Sequence, residues 1–374
     1  MINSISRLFS IALVCASTLC LLATSLVGQQ VFVDDHTATI VEPSDVIEPF
    51  YENEIFEVVD SAPQVTDDQR LVIKNPCLRR REVFTVLGRD EVWFISARDF
   101  IAGETDVAEL KVCQAVDGDL VERSLSDLTT AHQSGDALST MIYVHGNQTD
   151  EEFALFRGFQ IYRNALASTS GSRAPVRLVV WAWKSEQEKP RLYPDFKLKA
   201  ERSILVGDTF AATLNQFSDQ NMVVFGYSLG VQVLLSAFDS SHFLPRPNDS
   251  TQYQVMFAAP AINARFVACN MLKPGCKVVP IERSIVFTNR KDRAIRVAQS
   301  IIRRENPAIE TTIVGLSNAG KLNVGSVTEI DIFEEAGRFH SIERYTRSNT
   351  LQNVTADFLN RVASMKSNQP LILE

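Results

Sequence analysis

The sequence predicts an α/β protein built on a doubly wound, mostly parallel β-sheet. Strand-like apolar segments alternate with helix-like segments over residues 140–363, which is the pattern that crossover connections between parallel strands produce. Several strand segments, such as residues 176–183, are almost entirely apolar. Strands that are covered by helices on both faces have this composition, whereas strands of a half-exposed sheet alternate apolar and polar residues.

The alternating part of the chain, residues 138–368, is predicted to be the main domain. Its strands are predicted at residues 140–144, 176–183, 222–225, 253–258, 284–288 and 311–314, with a last strand that ends at Phe333. Its helices are predicted at residues 150–167, 196–217, 231–237, 293–303 and 351–363. In the first of these helices, Phe153, Phe156 and Phe159 recur at helical spacing.

Residues 70–137 are predicted to form an N-terminal β extension that covers one edge of the main sheet. Runs rich in β-forming residues, such as EVWFIS, are separated by turns that contain Gly, Asp and Glu. A helix-like segment follows, with Ser124 as its expected N-cap. We expect this region to belong to the main fold and not to form a domain of its own.

The first 69 residues differ in composition from the remainder. In residues 1–28, one basic residue, Arg7, precedes an apolar run, which predicts a secretory signal peptide cleaved near residues 25–28, or else a membrane anchor. Residues 29–69 contain eleven acidic residues and no Lys or Arg, which predicts a disordered acidic spacer. We therefore expect export to the periplasm, the cell envelope or the extracellular space.

Charge and cysteine usage limit the possible partners. The chain of 374 residues has a net charge of −8, but after residue 69 its 36 basic residues nearly balance 34 acidic ones. No basic surface for nucleic acid is indicated. Four cysteines follow the apolar run, and disulfides Cys77–Cys113 and Cys269–Cys276 are one of their three possible pairings. No metal-ligand spacing occurs, and we expect no cofactor.

Residues 221–237 contain the most informative motif. A short apolar strand is followed by Gly226-Tyr227-Ser228-Leu229-Gly230 and then by an apolar helix. This order predicts a nucleophile elbow, G-x-S-x-G, in which a strained turn raises the serine hydroxyl above the edge of a sheet. The glycines allow the strand and the helix to approach closely. Ser228 is therefore the candidate nucleophile.

A serine hydroxyl needs a base and a group that orients the base. In proteins with this elbow the acid follows the serine and the histidine comes last. His340 is the candidate base because it lies in a loop after the last predicted strand. Asp292, at the end of an apolar strand, is the candidate acid, with Asp331 and Glu335 as alternatives. Asp292 could also cap the helix that follows it.

The same chemistry requires two backbone N–H groups that stabilise an oxyanion. One is expected from Leu229, the residue after the serine. The other is expected from the loop after the first main strand, where Gly146 allows the chain to bend and the N–H of Asn147 is the first choice. His145 is interpreted as structural.

Five segments together resemble a known family. They are IYVHGN, VVWAWKSE, PDFKLKAERS, VVFGYSLG and FTNRKDRAI. In this order they are similar to the α/β-hydrolase proteins grouped as domain of unknown function 900, and to exported hydrolase-like proteins of planctomycete bacteria. The resemblance covers residues 92–358. It implies the α/β-hydrolase fold and a triad of Ser228, Asp292 and His340. Tyr227 departs from the histidine that often precedes the serine, which weakens a specific comparison with lipases.

These observations predict an exported serine hydrolase that cleaves a carboxylic ester or thioester through an acyl-enzyme on Ser228. The substrate is expected to be a small or lipid-like acyl compound. A catalytically inactive binding or scaffold protein of the cell envelope is the first alternative. A serine peptidase or acyltransferase is the second, since leaving-group and acceptor preference depend on the shape of a pocket. The sequence leaves the oligomeric state open.

Overall fold

The computed structural model describes most of the chain after residue 69. The described residues are 70–75, 80–100, 103–117, 119–133, 138–217, 221–244, 253–262, 281–305 and 327–367. The predicted signal segment, the acidic spacer and the predicted strand at residues 311–314 lie outside them. Among the described residues, no helix is both long enough and apolar enough to cross a membrane.

Eleven strands and eight helices are defined within the described ranges. The strands are β1 (Arg70–Asn75), β2 (Arg80–Thr85), β3 (Glu91–Ser96), β4 (Lys111–Val116), β5 (Asp119–Arg123), β6 (Ser139–Val144), β7 (Val176–Ala182), β8 (Met222–Tyr227), β9 (Tyr253–Ala258), β10 (Ile281–Thr288) and β11 (Val327–Asp331). The helices are α1 (Leu125–Gln133), α2 (Glu151–Ile161), α3 (Leu192–Asn215), α4 (Gly230–Asp239), α5 (Arg293–Glu305), α6 (Phe333–Ala336), α7 (Ile342–Thr346) and α8 (Asn349–Ser367).

Nine of these strands form one sheet in the order β11-β10-β9-β8-β6-β7-β3-β4-β5. The strands from β11 to β3 are parallel, whereas β4 and β5 are antiparallel at one edge. The chain passes from β6 to β7 on one side and then crosses back to β8 on the other side of β6. In such sheets, sites lie at the carboxyl ends of the strands where the winding direction changes. The topology therefore directs attention to the ends of β6 and β8.

The core lies on both faces of the central strands. Every residue of β6, β7, β8 and β9 is buried, as their apolar composition predicts for strands covered on both sides. The mostly parallel, doubly wound sheet predicted from the sequence is confirmed.

The N-terminal strands form two arrangements. Strands β1 and β2 pair with each other in a separate antiparallel sheet, whereas β3, β4 and β5 extend the main sheet. Two ion pairs join the start of β3 to the region of β7: Arg173 Nη2 lies 2.5 Å from Asp90 Oδ2, and Arg177 Nε lies 2.6 Å from Glu91 Oε2. Ser124 caps α1 as predicted, because its Oγ accepts from the N–H of Asp127 at 3.1 Å.

Some predicted boundaries are wrong. The last strand ends at Asp331 and not at Phe333, because Asp331 Oδ1 accepts from the N–H of Phe333 at 3.0 Å and the chain turns into α6. Helix α3 begins at Leu192, four residues before the predicted start. The helix predicted to reach residue 167 ends its α-helical part at Ile161 and continues as a π-helical turn, Tyr162–Leu166.

Cys113 lies in β4 and is a free, buried thiol. The predicted disulfide between Cys77 and Cys113 is therefore wrong. Cys77, Cys269 and Cys276 lie outside the described residues.

Candidate active site

Ser228 stands in the turn between β8 and α4, with a positive φ of 53°. This conformation is uncommon for a residue with a side chain, and it is the one that a nucleophile elbow requires of its serine. A Cβ at Gly230 would lie 2.3 Å from the carbonyl oxygen of Val144, so only glycine allows α4 to start this close to β6. The elbow geometry predicted from the motif is therefore present at the end of β8.

Three predicted site residues form one chain of hydrogen bonds. His340 Nε2 lies 3.0 Å from Ser228 Oγ, and His340 Nδ1 lies 2.8 Å from Asp292 Oδ2. Asp292 follows β10, and His340 lies between α6 and α7. The alternative acids lie elsewhere. Asp331, at the end of β11, pairs with Arg290, which follows β10. Glu335 accepts hydrogen bonds from Thr350 at the start of α8.

Asp292 is fully buried and accepts three hydrogen bonds. Its Oδ1 accepts from the N–H of Ile295 at 3.0 Å, and its Oδ2 accepts from His340 and, at 3.1 Å, from the Tyr345 hydroxyl. Burial raises the pKa of Asp292, but the charge and hydrogen bond of His340 and the hydrogen bonds from Ile295 and Tyr345 outweigh it and lower the pKa. The carboxylate therefore stays ionised at neutral pH, and it caps α5 as well.

The ionised carboxylate fixes the tautomer of the histidine. A carboxylate can only accept, so Nδ1 of His340 carries the hydrogen and donates it to Asp292. In the neutral ring, Nε2 is then free to accept the hydrogen of the Ser228 hydroxyl. The arrangement can remove a proton from Ser228.

Tyr227 occupies the position at which the sequence departs from related motifs. Its ring stacks on His340 with centroids 5.1 Å apart and an interplanar angle of 27°. It also contacts Tyr345 edge-on, with centroids 6.1 Å apart. Sequence reasoning did not assign a role to Tyr345, because its hydrogen bond to Asp292 depends on how α7 packs. Tyr227 therefore packs on the histidine ring, and Tyr345 packs on Tyr227.

The loop after β6 lies against Ser228. A Cβ built on Gly146, the residue before Asn147, would lie 2.8 Å from the Cβ of Ser228. Among the described residues, the backbone N–H groups of Asn147 and Leu229 have no hydrogen-bond acceptor. Buried N–H groups are rarely left unpaired. Two unused donors next to Ser228 are consistent with a site for a negatively charged oxygen.

His145 shapes this loop. Its Nε2 accepts from the Trp183 backbone N–H at 3.1 Å, so its Nδ1 carries the hydrogen and donates to the Gly146 carbonyl oxygen at 2.9 Å. The indole N–H of Trp183 donates to the His145 carbonyl oxygen at 2.9 Å, and the two rings stack. Burial lowers the pKa of His145 to about 3, which keeps the ring neutral. These contacts support the structural interpretation of His145.

The buried neutral His145 predicts that stability falls in mild acid. The unfolded chain can protonate this histidine below its ordinary pKa of 6.5, whereas the folded chain cannot do so until about pH 3. The contribution of His145 to the free energy of unfolding is therefore fully present above pH 6.5. Below pH 6.5 the free energy of unfolding falls by about 1.4 kcal/mol per pH unit because of this residue. In urea denaturation at pH 7.5 and pH 5, His145→Gln is expected to be less stable at pH 7.5 but to lose less on acidification. Equal losses in both proteins would contradict this role.

Aromatic residues also occur on both sides of the loop between β7 and α3. Trp181 is fully buried, and its ring centroid lies 4.8 Å from that of Phe210. The side chain of Tyr193 lies outside what the structure describes. In the described ranges, no group of three or more His, Cys, Asp or Glu side chains is arranged to hold a metal ion.

The nine-stranded sheet, the strained serine turn and the Ser–His–Asp hydrogen bonds together define a protein of the α/β-hydrolase fold. The chain belongs to the family described as "Alpha/beta hydrolase of unknown function (DUF900)", whose model matches residues 123–313.

Several solved structures are also similar to parts of this chain, at low sequence identity. Aspergillus fumigatus lipase B is 12% identical, with a TM-score of 0.29, and the similarity covers 59% of this chain but only 52% of the lipase. Thermogutta terrifontis esterase 2 phosphoramylated by tabun is 12% identical, with a TM-score of 0.28, and the similarity covers 61% of this chain and 84% of the esterase. Carboxylesterase CesB (YbfK) from Bacillus subtilis is 10% identical, with a TM-score of 0.32, and the similarity covers 72% of this chain and 92% of the carboxylesterase. No curated protein sequence matches the chain.

Proposed function

We propose that this protein is a serine hydrolase that cleaves a carboxylic ester or thioester through an acyl-enzyme on Ser228. The observation that carries the proposal is the unbroken hydrogen-bond chain from Ser228 Oγ through His340 to Asp292, at 3.0 Å and 2.8 Å. These distances lie within the reach that proton transfer between a nucleophile and its base requires.

In the proposed reaction, Ser228 Oγ attacks the carbonyl carbon while its proton passes to His340 Nε2. The carbonyl oxygen becomes an oxyanion, which the N–H groups of Leu229 and Asn147 stabilise. Collapse of this intermediate breaks the bond to the leaving group, and His340 returns the proton to the departing alcohol or thiol. Water then attacks the acyl-enzyme with the same proton transfers in reverse order, which releases the acid and restores Ser228.

Asp292 acts in this scheme by remaining ionised. Its negative charge stabilises the protonated form of His340 at the moment when the proton leaves Ser228, and its hydrogen bond keeps the ring oriented. The hydroxyl of Tyr345 shares the same oxygen at 3.1 Å. The carboxylate is therefore held from two directions.

The alternatives are less well supported. A catalytically inactive scaffold would not need to keep Ser228, His340 and Asp292 in hydrogen-bonding geometry, or a strained φ at the serine. A peptidase or acyltransferase would use the same groups, and the described residues offer no feature that favours either over ester hydrolysis. Export also remains a proposal, and it rests on the composition of residues 1–28.

Labelling with a fluorophosphonate probe tests the proposed nucleophile. Activated serines attack the phosphorus atom and retain the probe covalently. The full-length protein is expected to be labelled, with the added mass on the peptide that contains Ser228. Ser228→Ala should remove the label, whereas Ser364→Ala, at an exposed position of α8, should leave it unchanged. A folded wild-type protein that is not labelled would overturn the proposal.

A further inference from the structure

Arg157, on α2, places a positive charge beside the candidate active site. Its Nη1 donates to the Thr149 hydroxyl at 2.8 Å, and that hydroxyl donates to the carbonyl oxygen of Asn147 at 3.1 Å. Its guanidinium also lies over the ring of Phe153, 4.4 Å from the centroid. The side chain is thus held on the loop that carries the proposed oxyanion donor Asn147.

Within the part of the chain that the structure describes, the charge of Arg157 has no counterion. Among the described residues, no carboxylate forms an ion pair with it, and Thr149 is the one acceptor of its hydrogen bonds. Arg98, which donates to the carbonyl oxygen of the same Thr149, is instead paired with Glu186 at 2.7 Å. Arg157 is half-buried. A partly desolvated cation without a counterion costs free energy, and a bound anion would offset that cost.

The charge of Arg157 also acts on a residue next to the candidate nucleophile. Burial raises the pKa of Tyr227 well above its ordinary range, and the positive charge of Arg157 partly offsets that rise. Tyr227 directly precedes Ser228 and stacks on His340. The charge of Arg157 therefore acts on the residue that directly precedes Ser228.

We propose that Arg157 is a specificity-determining residue that binds a carboxylate-like anion on the substrate, so that the preferred substrates are anionic esters or thioesters. A guanidinium presents several N–H donors in a planar fork, which suits bidentate binding of a carboxylate. Nη1 donates to Thr149, and no described residue accepts a hydrogen bond from Nη2 or Nε, so these donors are proposed to bind the substrate. This inference rests on the proposed hydrolase function and adds the class of substrate to it.

The test compares esters that differ in one charge, with full-length protein. One pair carries the charge on the acyl side: the mono-4-nitrophenyl ester of adipic acid and its neutral form with the other carboxyl group methylated. A second pair carries it on the alcohol side: the hexanoate esters of 4-hydroxybenzoate and of its methyl ester. Wild type is expected to show a higher kcat/KM for the anionic member of at least one pair.

Arg157→Gln is expected to lower the anionic-to-neutral ratio of kcat/KM for that pair by about tenfold or more, mainly through KM. Arg157→Lys keeps the positive charge but lacks the planar set of guanidinium donors, so the anionic-to-neutral ratio of kcat/KM should fall less than in Arg157→Gln. Arg89→Gln makes the same change in the exposed turn before β3 and should keep both wild-type ratios. The preference should also weaken as salt is added.

Two results separate this inference from the proposed function. Ester hydrolysis with unchanged ratios in Arg157→Gln, or equal losses for anionic and neutral esters, would overturn the inference and leave the hydrolase proposal intact. Failure to hydrolyse all four esters, together with an unlabelled Ser228, would overturn both.

Discussion

Replacing His340 with glutamine is expected to lower kcat for an activated ester by about 10⁵- to 10⁶-fold, which is the scale observed when the base of a serine triad is removed. Glutamine has no basic nitrogen, so nothing can accept the proton that leaves Ser228. The residual rate then comes from binding and from the oxyanion donors alone. Stopped-flow or end-point release of 4-nitrophenol from 4-nitrophenyl butyrate measures this loss.

The matched control for this substitution is His242→Gln. His242 lies in the exposed turn after α4, and its replacement is expected to change kcat by less than about twofold. The double variant Ser228→Ala, His340→Gln should be no less active than either single variant, because groups that act as a unit are not additive. A His340→Gln protein that keeps more than about one hundredth of wild-type kcat would contradict the assigned role.

Much of the fold could be predicted because its signals are local. Strands that are buried on both faces must be apolar throughout, as β7 and β8 are, and helices between them repeat their apolar residues at helical spacing. The boundaries that were wrong depend on single contacts. The hydrogen bond from Phe333 to Asp331 ends β11 two residues early, and no periodicity encodes it.

The position of β3 in the sheet could not be predicted from local sequence patterns. Its partner β7 lies about eighty residues later, where Arg177 is opposite Glu91 in the register. A parallel pair of this kind depends on contacts between distant residues, and propensity does not specify the partner. The sequence therefore indicated strands in this region but not that β3 continues the parallel part of the sheet.

The candidate site residues could be predicted where their order along the chain is typical of a serine, acid and histidine triad. A serine turn, a carboxylate at the end of a later strand and a late histidine are recognisable without coordinates, and the structure brings Ser228, Asp292 and His340 together. The supporting contacts were not predictable. The stacking of Tyr227 on His340, and the hydroxyl of Tyr345 on Asp292, depend on how α7 packs against the elbow.

Replacing Asp292 with asparagine is expected to lower kcat/KM for 4-nitrophenyl butyrate by about 10³- to 10⁴-fold, because the substitution selects the wrong histidine tautomer. The N–H of Ile295 faces Oδ1 and can only donate, so the amide oxygen of asparagine must take that position. The amide NH₂ then faces His340 and Tyr345. His340 Nδ1 must accept, which moves its hydrogen to Nε2.

With the hydrogen on Nε2, His340 can no longer accept the proton of Ser228 although every heavy atom keeps its place. The control is Asp331→Asn, at the alternative acid, which pairs with Arg290 at 3.3 Å and does not contact the histidine. It should change kcat/KM by less than about threefold. A loss in Asp331→Asn that equals or exceeds the loss in Asp292→Asn would assign the orienting carboxylate to β11. Similar thermal stability of the two variants would show that the difference in rate arises from the tautomer and not from unfolding.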